Sequence, residues 1–214
     1  MPILLYCVAR REKSPVGNAI RGVAGSFVRR KEFGPLAVFV SCESDSGNWL
    51  KQEIRTSALE FHGVLKQLFE RFVVIPFRFP TIFVNDEELA KHLEPRSGEY
   101  SEQLERFSDF VQMELRVISA APRTSSGSGT DYLNQRQNAM HSLEQFAGEL
   151  KNKLAAYSKQ WRQRATKQGL RAFALVARNA ISDFENAVRN LRIPADLKVR
   201  VSGPWPASEF IDQG

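Results

Sequence analysis

At 214 residues, 43% hydrophobic and 25% charged, the chain is neither disordered nor membrane-embedded, and it has room for one large domain or two small ones around a real core. Its longest apolar runs, Phe72-Val73-Val74-Ile75 and Leu36-Ala37-Val38-Phe39-Val40, are about a quarter of a bilayer span, so no transmembrane helix is expected. The formal charge of +6 is modest but unevenly placed.

Residues 3–9 read as a strand. They lack the basic start and apolar length of a signal peptide, and Arg10-Arg11 follows at once, so a cytoplasmic chain is expected. A glycine-containing stretch over 14–25, with Gly17, Gly22 and Gly25, leads to a second strand near 27–31. Gly34-Pro35 marks a turn, and 36–41 forms a third strand, apolar enough to lie in a sheet covered on at least one face. Cys7 and Cys42 lie in or near these apolar runs. Neighbouring strands could bring them together, but in a reducing compartment two packed thiols are expected rather than a bridge.

Residues 42–48 read as loop. From Trp49 the period changes: Leu50, Ile54, Ala58, Phe61, Leu65, Leu68 and Phe72 recur at steps of three and four, one face of a first long helix. A β-rich run over 72–79 follows, with Pro76 arguing for an edge or bulge and Pro80 for a break. Asn85 with Glu88 three positions later is a capping pattern that opens a short helix ending before Pro95. Another short helix is expected over 100–108.

Val111, Met113, Leu115 and Val117 alternate with polar residues as in a half-buried strand, and here a second structural unit begins. The Ser/Gly-rich stretch from Pro122 to Gly129 reads as a mobile loop. Beyond it Leu133, Met140, Leu143, Ala147, Leu150, Leu154, Tyr157 and Trp161 keep heptad spacing, predicting a helix over 131–167, about 55 Å long at about 1.5 Å per residue. Arg136 and Arg164 interrupt its apolar stripe, which is read first as packing against the sheet of its own unit. A strand over 171–178, a short amphipathic helix over 181–191 and a strand alternating through Leu197, Val199 and Val201 complete the unit.

No acid occurs between Leu150 and Ser182, a window holding Lys151, Lys153, Lys159, Arg162, Arg164, Lys167, Arg171 and Arg178, whereas Asp86 to Asp109 carries eight acids against three basic residues. The basic window reads first as a solvated face and next as a surface for an acidic partner or for the acidic stretch of the same chain. Nucleic acid ranks below these, because only Tyr157 and Trp161 lie nearby and the heptad assigns both to packing. His62, His92 and His141 have no partners at metal-ligand spacing, and there is no phosphate loop of the GxxxxGK type and no GxSxG elbow. No catalytic residue, metal or cofactor is therefore expected.

Five landmarks occur in order: Val74-Ile75-Pro76-Phe77-Arg78-Phe79-Pro80-Thr81-Ile82-Phe83, Asp86-Glu87-Glu88, Glu114-Leu115-Arg116-Val117, Tyr132-Leu133-Asn134-Gln135-Arg136 and Gly203-Pro204-Trp205-Pro206. Over almost its whole length the chain thereby resembles the gas vesicle GvpL/GvpF family. The terminal motif is the most specific element. The family pattern there is Gly-Pro-Trp-Pro-Pro-Tyr-Ser-Phe, and this chain keeps Gly203 to Pro206 and Phe210 but carries Ala207, Ser208 and Glu209 between them. Pro80 likewise stands where the family favours Phe-Gly-Thr.

The resemblance implies an α/β (α+β) protein of two domains: an N-terminal α+β sandwich over 1–108 and a C-terminal modified ferredoxin-like domain over 109–214, with a long helix and a tail over 203–214. It implies an accessory or minor structural protein of gas vesicle assembly, without catalytic activity, that binds the small hydrophobic shell protein and other accessory proteins, in the cytoplasm and at the gas vesicle. The alternative is a basic interaction module without that role. Candidate partner contacts are Trp205, held between two prolines, with Phe210, Lys151, Lys159 and Arg162. Trp205 and Phe210 are read first as pinning the tail to the protein's own surface, a role compatible with contact.

Overall fold

The computed structural model describes residues 1–12, 20–42, 53–119, 129–167 and 169–211, and for 129–140 the backbone alone. The expected loops over 43–48 and 122–128, Gly17, Trp49 and Leu50, and the side chains of Leu133, Arg136 and Met140 lie outside the described residues. The chain forms two compact units, Met1–Ser108 and Asp109–Gly214.

In the first unit, β1 (Ile3–Arg10), β2 (Arg29–Phe33) and β3 (Leu36–Cys42) make an antiparallel sheet in the order β2-β3-β1. The other edge of β1 is taken by two short strands, β4 (Val74–Pro76) and then β5 (Ile82–Phe83). Pro76 therefore stands on an edge strand, where its missing N–H costs no ladder bond, and the expected continuous run divides in two around a cis Phe79-Pro80 bond. β1 and β3 are buried almost throughout, as continuous apolar runs require.

Helix α1 (Ile54–Phe69) packs on β1 through Phe61, Val64, Leu65 and Leu68, with Phe61 stacked on Tyr6 at 4.8 Å. Its first turn departs from the expected stripe: Ile54 is 78% exposed, and Ser57 is the buried residue of that turn. The Tyr6 hydroxyl accepts the Val23 N–H at 3.0 Å and lies 3.1 Å from Ser41 Oγ, so this buried polar group is satisfied. Cys7 faces Phe39 whereas Cys42 faces Ile3, about 13 Å apart along the ladder, and both are free thiols.

Helix α2 (Asp86–Leu93) opens on the expected cap: the Asn85 side chain accepts the Glu88 N–H at 2.9 Å, and Glu88 reaches back to the Val84 N–H at 3.1 Å. Pro95 does not end helical structure. It sits at the start of a 3-10 turn that leads directly into α3 (Ser97–Arg106), as a proline can where no intrahelical N–H bond is required.

The second unit runs β6 (Phe110–Ser119), α4 (Gly129–Leu154), β7 (Gln160–Thr166), β8 (Gly169–Ala177), α5 (Ile181–Arg189) and β9 (Leu197–Trp205). Its sheet, in the order β7-β8-β6-β9, is antiparallel throughout, which is the ferredoxin-like β-α-β-β-α-β arrangement.

The expected helix over 131–167 is corrected here. It stops at Leu154, a 3-10 turn over Ala155–Tyr157 follows, the Ser158 hydroxyl donates to the Leu154 carbonyl at 3.0 Å, and Trp161 and Arg164 belong to the edge strand β7. At the start of β8, Gly169 (φ 155°) allows the close pairing with β6, because a Cβ there would lie 2.0 Å from the Val117 carbonyl oxygen.

Pairing register places Val111, Met113, Leu115 and Val117 of β6 on one face with Ala172, Ala174 and Val176 of β8. Helices α4 and α5 pack on this sheet, with Phe146, Ala147, Leu150, Leu154, Phe184 and Val188 buried. Met113 shares a cleft of about 290 Å³ with Glu185, Val188 and Arg189 of α5, which marks this as the helix-bearing face.

Candidate functional site

The opposite face of the ferredoxin-like sheet carries Gln112, Glu114 and Arg116 of β6, because side chains alternate along a strand. Directly paired residues share a face, so the register defines rungs that cross all four strands. One rung reads Arg164 (β7), Arg171 (β8), Arg116 (β6) and Arg200 (β9). The next on the same face reads Arg162, Phe173, Glu114 and Ser202, and the third Gln160, Leu175, Gln112 and Trp205.

Glu114 is buried, and its Oε1 accepts the Nε–H of Arg116 at 2.6 Å and of Arg171 at 2.8 Å. Burial raises the pKa of this carboxyl, but hydrogen bonds from Arg171 and Arg116, with their charges, outweigh it and hold the group below the ordinary carboxylate range. Phe173, buried beside it, has the guanidinium carbons of Arg164 and Arg171 at 4.9 and 5.2 Å from its ring centre.

The chain after β9 folds onto this face. Before the tail, within β9, Gly203 (φ 135°) lets the strand approach β6 closely: a Cβ there would lie 3.0 Å from the Gln112 carbonyl oxygen and 2.8 Å from the Met113 sulfur on the helix-bearing side. Turns close between Ser208 N–H and Pro206 carbonyl at 2.7 Å and between Phe210 N–H and Ala207 carbonyl at 2.9 Å. The Glu209 N–H donates to Gln112 Oε1 at 2.9 Å, its carboxylate accepts from Arg164 at 2.8 Å, and its carbonyl accepts from Arg162. Ala207, Phe210 and Ile211 are buried.

The five expected contact residues therefore separate. Phe210 is 1% exposed, with the Arg162 guanidinium 5.6 Å from its ring, and it anchors the tail instead of presenting a free surface. Trp205 is part-buried, with its indole N–H donating to Ser202 Oγ at 3.3 Å. Arg162 is exposed beside the tail, and Lys159 reaches over the Phe110 ring at 4.4 Å. Lys151 is exposed but lies on α4, away from the other four.

Arg116, Arg164, Arg171, Arg200, Glu114 and Glu209 form the heart of the face; sequence reading placed Arg164 and Arg171 in the basic window and assigned the other four to no site. The available signal was the alternation of basic residues in Arg162-Gln163-Arg164 and Lys198-Val199-Arg200. Their alignment across strands is a property of register alone. Among the described residues no group of three or more metal-ligating side chains converges, and no helix is long and apolar enough to cross a membrane.

The model of the family "Gas vesicle synthesis protein GvpL/GvpF" matches residues 2–212. Among solved structures, the gas vesicle protein GvpF from Anabaena sp. PCC7120 is similar with a TM-score of 0.81 at 14% identity, covering 100% of this chain and 97% of that one. GvpF from Microcystis aeruginosa is similar at 0.78 and 11% identity, covering 99% of both chains. At these identities the structures speak for the fold. The search of curated proteins gave no match.

Proposed function

Because the chain belongs to the gas vesicle synthesis protein GvpL/GvpF family, we propose that it is an accessory protein of gas vesicle assembly that acts by binding, not by turnover. The observation that carries this reading is the family match, which spans both units of the chain and is not confined to one of them. In the proposed role the protein works in the cytoplasm, engages the small hydrophobic shell protein and other accessory proteins, keeps the shell subunit from aggregating, and helps start or extend the shell.

Support for a contact at the end of the chain comes from Trp205. It is a large, part-buried ring whose backbone is fixed by Pro204 and Pro206 and whose tail is anchored by Phe210, so little ordering is left to oppose binding. Arg162 adds positive charge beside the tail through its bond to the Glu209 carbonyl, whereas Lys159, next to β7, and Lys151, on α4, stand apart from Trp205.

Co-purification with the small shell protein tests this, comparing the intact chain with Trp205→Ala at low and moderate salt. Capture that persists at moderate salt is expected, with at least an about tenfold loss in the variant, the scale of an aromatic hot spot. If folded intact protein captures nothing, the assembly role fails. If both proteins capture equally, Trp205 is not the contact.

A further inference from the structure

We propose that the tail-bearing face of the ferredoxin-like sheet is a docking surface for the acidic face of an α-helix from a partner protein, read by the Arg164, Arg171, Arg116 and Arg200 row. The row is costly as structure. Like charges directly opposite each other on neighbouring strands destabilise a sheet, and here three successive strand pairs carry such a pairing. Among the described residues two carboxylates offset it: Glu114 is shared by Arg116 and Arg171, and Glu209 pairs with Arg164. Lys198, paired with Ile118 of β6, adds a further cation to the same face. Lys198 and Arg200 at the β9 edge are exposed and make no ion pair with any described residue.

The tail shows which chemistry the face accepts. Glu209 lays a carboxylate on one end of the row, and the guanidinium fork suits a carboxylate in two-pronged geometry. Spacing selects the partner's backbone. Neighbouring strands lie about 4.8 Å apart, so the row offers a charge at about that interval, whereas same-side residues of an extended peptide recur at about 6.8 Å. Residues three and four apart on a helix lie about 5–6 Å from each other, the closer match. The aromatic at the centre of the face, Phe173, is buried beneath Arg164 and Arg171 and is closed to base stacking, which favours an acidic protein over a nucleic acid.

The experiment uses the full chain and a fluorescent alanine-based helical peptide with glutamates at i, i+4, i+7 and i+11. Its comparators are a peptide of the same composition with glutamates spread around the helix and a single-stranded oligouridine of similar charge. Anisotropy titrations at low salt are expected to show the striped peptide bound more tightly than either. Lys198→Glu with Arg200→Glu, exposed changes that leave the core untouched, should weaken binding about tenfold or more, and Glu209→Gln, which removes the internal competitor, should strengthen it about threefold. The proposal is overturned by no binding of the striped peptide, equal binding of the spread peptide, tighter binding of the oligouridine, or full binding by the folded double variant. Salt-sensitive self-association lost in the double variant would identify a second copy as the occupant and equally overturn it. Shell-protein capture is not read by these titrations, so their failure leaves the assembly role standing.

Discussion

Glu114 holds two guanidinium groups in place from a buried position, and its contribution depends on remaining ionised. Its folded-state pKa lies below the ordinary value, so the stability it supplies is present above the unfolded carboxyl pKa of about 4.3 and is lost as pH falls through the folded value. Urea unfolding across a pH series should show the midpoint falling below about pH 4.3. Glu114→Gln should flatten part of that fall and cost about 1–3 kcal/mol at neutral pH, the range for hydrogen bonds to charged groups and for leaving buried partners unmet. An unchanged acid slope in the variant would refute the assignment. In the sequence Glu114 is legible as a polar position of an alternating strand, but its partner Arg171 is 57 residues away, and no local pattern joins the two. Glu209 is legible only as a departure from the family's terminal motif, and its pairing with Arg164 gives that departure a physical use.

Helix α2 was readable because its start is decided locally: Asn85 bonds the Glu88 N–H three residues on, and both ends of that interaction are visible in the sequence. Asn85→Ala should therefore lower stability by about 1 kcal/mol, read as a shift in thermal unfolding of the intact chain, and a shift indistinguishable from zero would mean that solvent satisfies the freed N–H equally well. The end of α4 was not readable. Tyr157 and Trp161 continue the heptad spacing beyond Leu154, yet β7 takes its place in a sheet through seven rungs with β8, and a periodic pattern cannot report a pairing made with residues farther along. Gln160 to Thr166, mixed in polarity and at the sheet edge, carried too weak a strand signal to compete. The stripe on α1 was right where it meets β1 and wrong at Ile54, because amphipathic spacing shows which residues share a face and not how far along the helix that face is covered.

At the scale of the molecule, pattern reading supplied mixed α/β units but omitted one of the four strands of the second. The ferredoxin-like arrangement was legible through the resemblance and not through periodicity. We propose that the two compact units, meeting in sequence at Ser108 and Asp109, are domains that fold separately. A fragment of residues 109–214 is then expected to unfold cooperatively on heating and to keep dispersed amide signals, whereas a fragment with collapsed dispersion would show that the second unit depends on the first. The placement of the two cysteines adds a consequence of another kind. Both belong to the first unit, both are buried, and burial pushes the Cys7 thiol far up, so neither meets a reagent while the sheet is closed. The chain thus carries its own clock. The rate of thiol modification counts openings of the first unit, and the second, which has no cysteine, runs silently beside it.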